Sequence, residues 1–94
     1  MSWPLGLRRV EGHSMAPRLI HGRVVLVTRW YVRPKVGDIV VVQHSGLEKI
    51  KRVTQLDGQR IFISGDNRLQ STDSKDFGWL EMDNVVAKLL WPRA

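Results

Sequence analysis

Cysteine is missing from this chain. That absence removes disulfide staples, thiolate nucleophiles and every zinc site built on cysteine, and it suits a reducing or an oxidising compartment equally. Apolar runs are short. The longest, Val24 to Val27 and Ile39 to Val42, fall far below the roughly 18 residues that a membrane-spanning helix needs. The first seven residues have neither the length nor the cleavage pattern of a secretory signal, although Trp3, Pro4 and Leu5 suit a membrane interface. Histidine is scarce too: His13, His21 and His44 form no pair at metal-binding spacing, so no metal and no other cofactor is expected. There is no internal repeat, biased tract or linker.

What remains is the composition of an ordinary globular chain. A length of 94 residues with 43% hydrophobic and 26% charged side chains predicts one domain over residues 1–94, with a thin core that hides roughly 65% of the surface of the unfolded chain. The formal charge of +6 would attract nucleic acid, anionic lipid or acidic protein by long-range electrostatics, but the basic residues are scattered and select none of them. Localisation stays open between the cytoplasm and the periphery of a membrane.

Arg23 to Arg29 is rich in β-branched residues and too short for a helix, which reads as a buried strand, and Asp38 to Gln43 repeats the signal. Pro34 and Gly37-Asp38 mark the turn between them, and His44-Ser45-Gly46 closes the second strand. Leu47 to Gln55 predicts a third strand, and Leu56-Asp57-Gly58-Gln59 a hairpin into Arg60 to Ser64. After Gly65 the chain is polar for about ten residues, before Phe77 to Leu80 and a last apolar segment, Val85 to Trp91. Short strands with glycine-bearing turns imply an all-β fold, a small curled antiparallel sheet or half-barrel.

Three islands carry chemistry: Gly12-His13-Ser14-Met15-Ala16-Pro17, Ile50-Lys51-Arg52-Val53, and the segment from Gly65-Asp66-Asn67 to Ser71-Thr72-Asp73-Ser74. Each is weak alone, and a purely structural turn serine would share the local sequence of Ser14. In this order, with Gly37-Asp38-Ile39-Val40-Val41 between the first two, they resemble the type I signal peptidase family of Ser/Lys leader peptidases from about Val10 to Trp91. Small members such as nickel superoxide dismutase maturation proteases and mitochondrial inner-membrane peptidases are the most similar, and the sequence does not separate those branches. The resemblance implies Ser14 as nucleophile, with its backbone N–H binding the oxyanion, and Lys51 as general base. It also implies that Ser71 orients the base, that Asp73 supports the site, and that Asp66 and Asn67 belong to the family's Gly-Asp-Asn box. The implied activity is that of a serine endopeptidase that removes an N-terminal leader or propeptide, with a precursor protein as partner and no nucleic acid expected.

The chemistry asks much of such a lysine, because an ammonium cannot accept a proton and each unit by which a lysine pKa falls costs about 1.4 kcal/mol. Burial among apolar neighbours is the way to achieve it. Strand parity alone does not choose the base, since Leu47, Lys49, Lys51 and Val53 share one face. His13 is a poor base for its neighbour Ser14, because adjacent side chains in extended backbone point to opposite faces.

Several positions depart from the family pattern: Arg18 stands in place of Thr, Arg23 in place of Asp, and Gly12 where some members carry an oxyanion-binding serine. The family's membrane anchor and long insertion have no counterpart in these residues, which predicts a catalytic core, working in solution or with an anchoring partner. Two other readings compete: a catalytically idle partner subunit, and a small basic β-barrel module for single-stranded nucleic acid that stacks bases on Trp30, Tyr31, Phe62 and Trp79.

Overall fold

The computed structural model describes residues 4–30, 33–67, 69 and 71–93; Trp3 and Tyr31, singled out above, lie outside them. Seven strands form one sheet: β1 (Leu5–Arg9), β2 (Val24–Thr28), β3 (Ile39–His44), β4 (Leu47–Asp57), β5 (Arg60–Ser64), β6 (Leu80–Glu81) and β7 (Val85–Trp91). A short helix, α1 (Ser74–Phe77), and a 3₁₀ turn (Met82–Asn84) lie between β5 and β7. The order across the sheet is β1-β2-β7-β3-β4-β5-β6, and every neighbouring pair is antiparallel. The sheet is open, so the fold is the curled half-barrel and not a closed barrel.

Burial explains the curl. Along β3, Ile39 and Val41 enter one apolar cluster with Val25, Val27, Ala87 and Leu89, while Val40 and Val42 enter a second with Val53, Ile61 and Ile63. A strand buried on both faces reads as a continuous apolar run, which is what Ile39 to Val42 shows. Strand β7 crosses from one cluster to the other at a bulge, because Val42 pairs with Val85 but Val41 pairs with Ala87. A second irregularity lies in β4 between Val53 and Gln55. Such extra residues bend and twist a sheet locally.

Turn chemistry sets the hairpins. Ser45 and Gly46, joining β3 to β4, both have positive φ, 52° and 78°, as a type I′ turn requires. The hairpin at Asp57-Gly58 is present with its centre one residue further on: Asp57 pairs with Arg60, and Gly58 at φ 60° takes the first central position, where a II′ turn places its glycine. Strand β1 is the element that the periodicity does not announce. Its apolar Leu5 and Leu7 are 51% and 65% exposed, whereas Gly6 and Arg8 face inward.

Candidate active site

Ser14 sits in a loop that leaves β1 and returns to β2. The two ends are pinned by Val10 N–H donating to Arg23 O at 2.8 Å and Gly22 N–H donating to Val10 O at 2.8 Å. Inside the loop Met15 and Leu19 are buried in the first apolar cluster, and Leu19 N–H donates to Met15 O at 2.9 Å. The Ser-Met pair therefore divides its work: the methionine anchors the turn, and the half-buried serine lines a cleft of about 390 Å³. One wall of that cleft is Arg8 to Met15 and the other is Glu48 to Lys51.

Lys51 lies opposite Val40 on the neighbouring strand, and only 4% of it is exposed. Its Nζ donates to Ser71 Oγ at 2.8 Å, and Ser71 Oγ donates to Asp73 Oδ2 at 2.8 Å. The hydroxyl thus accepts from the amine and donates its own hydrogen bond to a carboxylate. Burial pushes the Lys51 amine below its usual pKa; the Asp73 charge works against this, and the Lys49 and Lys75 charges work with it. The shift favours the neutral amine, whose lone pair can accept a proton.

Asp73 is 1% exposed. Burial would raise its carboxyl, but hydrogen bonds from Gly65 N–H, Ser71 and Lys75 outweigh that effect and hold it below the usual carboxylate range. Gly65 N–H reaches Oδ2 at 2.9 Å and Lys75 N–H reaches Oδ1 at 3.2 Å. The second contact makes Asp73 the N-cap of α1, completed by Asp76 Oδ2 accepting from Asp73 N–H at 3.0 Å.

The Gly65-Asp66-Asn67 segment acts mainly through its backbone. A Cβ at Gly65 would overlap Ser71 Oγ and the Ser14 carbonyl oxygen, so only glycine lets the lysine's support and the serine loop meet. Asn67 N–H donates to Ser14 O at 2.7 Å, which ties that segment to the serine loop. The Asp66 side chain turns away to Arg52, accepting from Nε and Nη2 at 2.9 Å each, and Arg52 Nη1 reaches Gly37 O at 2.7 Å.

The residues singled out in the sequence therefore converge. Ser14 and Lys51 face one cleft, Ser71 and Asp73 stand behind the lysine, and Asp66 and Asn67 brace the surrounding loops. Lys49 is half-buried on the cleft wall, its amine 6.0 Å from the Phe77 ring centre. His13 is exposed, with its ring 5.8 Å from that of His21. Phe62 and Trp79 pack edge to face at 5.2 Å with Arg60 over Trp79, so each ring has a protein neighbour.

Sequence reasoning gave no role to Thr72, which it placed inside an island, and missed Lys75, Arg8 and Glu48. Thr72 lines the cleft, and Lys75 Nζ donates to Ser71 O at 2.6 Å. Both stand beside motif residues, which is the signal that could have found them. Arg8 and Glu48, 40 residues apart, have no local signal.

Known proteins bear on this arrangement in two ways. The model of the Peptidase S24-like family matches residues 4–82. The chain is also 34% identical over 68 residues to a protein from Bacillus caldolyticus named Signal peptidase I, an overlap covering 66% of this chain and 37% of that relative. The match thus reaches little more than a third of the relative's length.

Proposed function

The chain belongs to the Peptidase S24-like family and is similar to a Signal peptidase I, and on that premise we propose that it is a serine endopeptidase in which Ser14 attacks and Lys51 is the base. The observation that carries this reading is a buried lysine, shifted toward its neutral form by burial, that lines the same cleft as Ser14. Lys51 Nζ takes the hydroxyl proton as Ser14 Oγ bonds to the scissile carbonyl carbon. The carbonyl oxygen gathers negative charge, which the Ser14 backbone N–H stabilises. Collapse of the tetrahedral intermediate breaks the C–N bond, and Lys51 returns the proton to the leaving amine. Water then attacks the acyl carbon as Lys51 Nζ takes one of its protons, the bond from that carbon to Ser14 Oγ breaks, and Lys51 returns the proton to Ser14 Oγ, freeing the new carboxyl end of the leader. Ser71, accepting from one N–H of Lys51, fixes the direction of the lone pair.

The cleft suits an extended substrate. Strand β1 is a sheet edge, and β5 pairs with β4 only from Arg52 onward, so Glu48 to Ile50 has no strand neighbour on that side among the described residues. A peptide laid between the two walls can pair with backbone on either hand. The substrate in this reading is a precursor protein whose N-terminal leader or propeptide is removed. A leader-bearing nickel superoxide dismutase is one candidate, given the resemblance to small maturation proteases.

The test is incubation of wild type, Ser14→Ala and Lys51→Ala with candidate precursors, followed by intact-mass analysis. A defined N-terminal fragment released by wild type and by neither variant is the expected result. Cleavage by either variant at the wild-type rate would remove that residue from the mechanism. No cleavage by any of the three would shift the reading to an idle partner subunit.

A further inference from the structure

Strands β1 and β4 are separated in the sheet by β2, β7 and β3, yet a side-chain pair links them across the cleft. Arg8 Nε donates to Glu48 Oε1 at 2.7 Å and Arg8 Nη2 to Glu48 Oε2 at 3.3 Å, and both residues line the cleft from opposite walls. Glu48 lies three residues before Lys51 on the extended β4, roughly 10 Å along the strand. An extended peptide with its scissile bond at Ser14 and Lys51 therefore brings a residue about three positions away onto this ion pair. The pair crosses the peptide's path and must open.

The two partners are not equally free to leave. The Glu48 side chain is 38% exposed and can turn into water, whereas Arg8 is 29% exposed and keeps a further bond from Nη1 to Leu7 O at 3.0 Å. The other charged residues of the walls are Arg9, Lys49 and Glu11, with Lys51 neutral in the peptidase reading. Once Glu48 swings out, the walls offer Arg8, Arg9 and Lys49 against Glu11 alone, which attracts an anion. A guanidinium held in place binds a carboxylate through two parallel hydrogen bonds, the geometry that Glu48 already occupies.

We propose that Arg8 recognises an acidic side chain of the substrate about three residues from the cut bond, and that Glu48 holds that place in the empty cleft. The proposal rests on the peptidase reading of the same cleft. The experiment uses a cleaved precursor peptide and a set of variants carrying Glu, Gln or Lys at each position in turn on both sides of the cut. The quantity read is the ratio of kcat/KM for Glu over Gln at each position. For wild type the ratio should peak at one position about three residues from the bond, at about fivefold, the scale of a partly exposed ion pair. Arg8→Ala should bring that ratio to about one, and Arg8→Glu should favour Lys at the same position. Glu48→Gln, which frees Arg8 without altering its backbone, should raise the ratio. A flat profile for wild type, or a Glu preference that survives Arg8→Ala, overturns the proposal while leaving the Ser14 and Lys51 chemistry standing. Failure of wild type to cut any peptide overturns both.

Discussion

Lys51 is set among influences of opposite sign. Burial lowers its pKa, Asp73 raises it, and Lys49 and Lys75 lower it. If the neutral amine is the base, cleavage must climb as pH rises through a value below the 10.5 of an ordinary lysine and fall as the amine gains its proton. Lys49→Met removes a like charge, so the Lys51 pKa rises and the acid limb of the kcat/KM profile moves to higher pH. A profile measured for both proteins decides it; a limb that stays put or moves to lower pH assigns the limb to another group. Depth, not parity, separates the two lysines. Lys49 and Lys51 share a face of β4, as strand geometry requires, but Lys51 alone descends to Ser71. Likewise the sequence groups Asp66 with Asp73, and only packing shows that Asp66 belongs to Arg52 and Asp73 to the lysine's support. A role that depends on which of two acids points inward leaves no mark on composition or spacing.

At the scale of elements, α1 is one turn long and too short to be stable alone. Asp73 fixes it by capping its first turn while also binding Ser71 and Gly65 N–H from the far side. Asp73→Ala removes the cap, at about 1 kcal/mol, and leaves the buried Gly65 N–H without its partner, at about 1–3 kcal/mol. A loss of about 2–4 kcal/mol is expected in urea denaturation, and a loss under 1 kcal/mol would show that α1 does not depend on this carboxylate. Strands β2, β3, β5 and β7 were legible because each carries buried β-branched or apolar residues, and β4 because its residues alternate ahead of the Asp57-Gly58 turn. Strand β1 was not, because its leucines face outward and a glycine and an arginine face in. Strand β6, two residues long, is below the length at which alternation can register, and α1 sits in a polar stretch whose only helical signal is the Asp73 to Asp76 spacing of a capping box.

Across the whole molecule, the two apolar clusters lie on opposite faces of β3, and rigidity should fall off from there toward the edges. Amides buried in the middle of a doubly covered sheet exchange only through global opening, whereas an edge strand can open by itself. Strand β1 is such an edge, bonded to β2 on one side and tied across the cleft by Arg8 and Glu48. The amides of Val40 to Val42 are therefore expected to exchange slowest, those of β1 measurably faster, and Glu48→Gln should accelerate β1 while leaving β3 unchanged. Hydrogen exchange read by mass spectrometry on wild type and variant checks this. If β1 exchanges together with β3 and ignores the variant, the cleft wall is part of the rigid frame, and a substrate enters by turning side chains alone. If β1 responds, the ion pair governs the width of the cleft as well as the charge it presents, because the same two side chains hold the β1 wall, which the sheet bonds on one side.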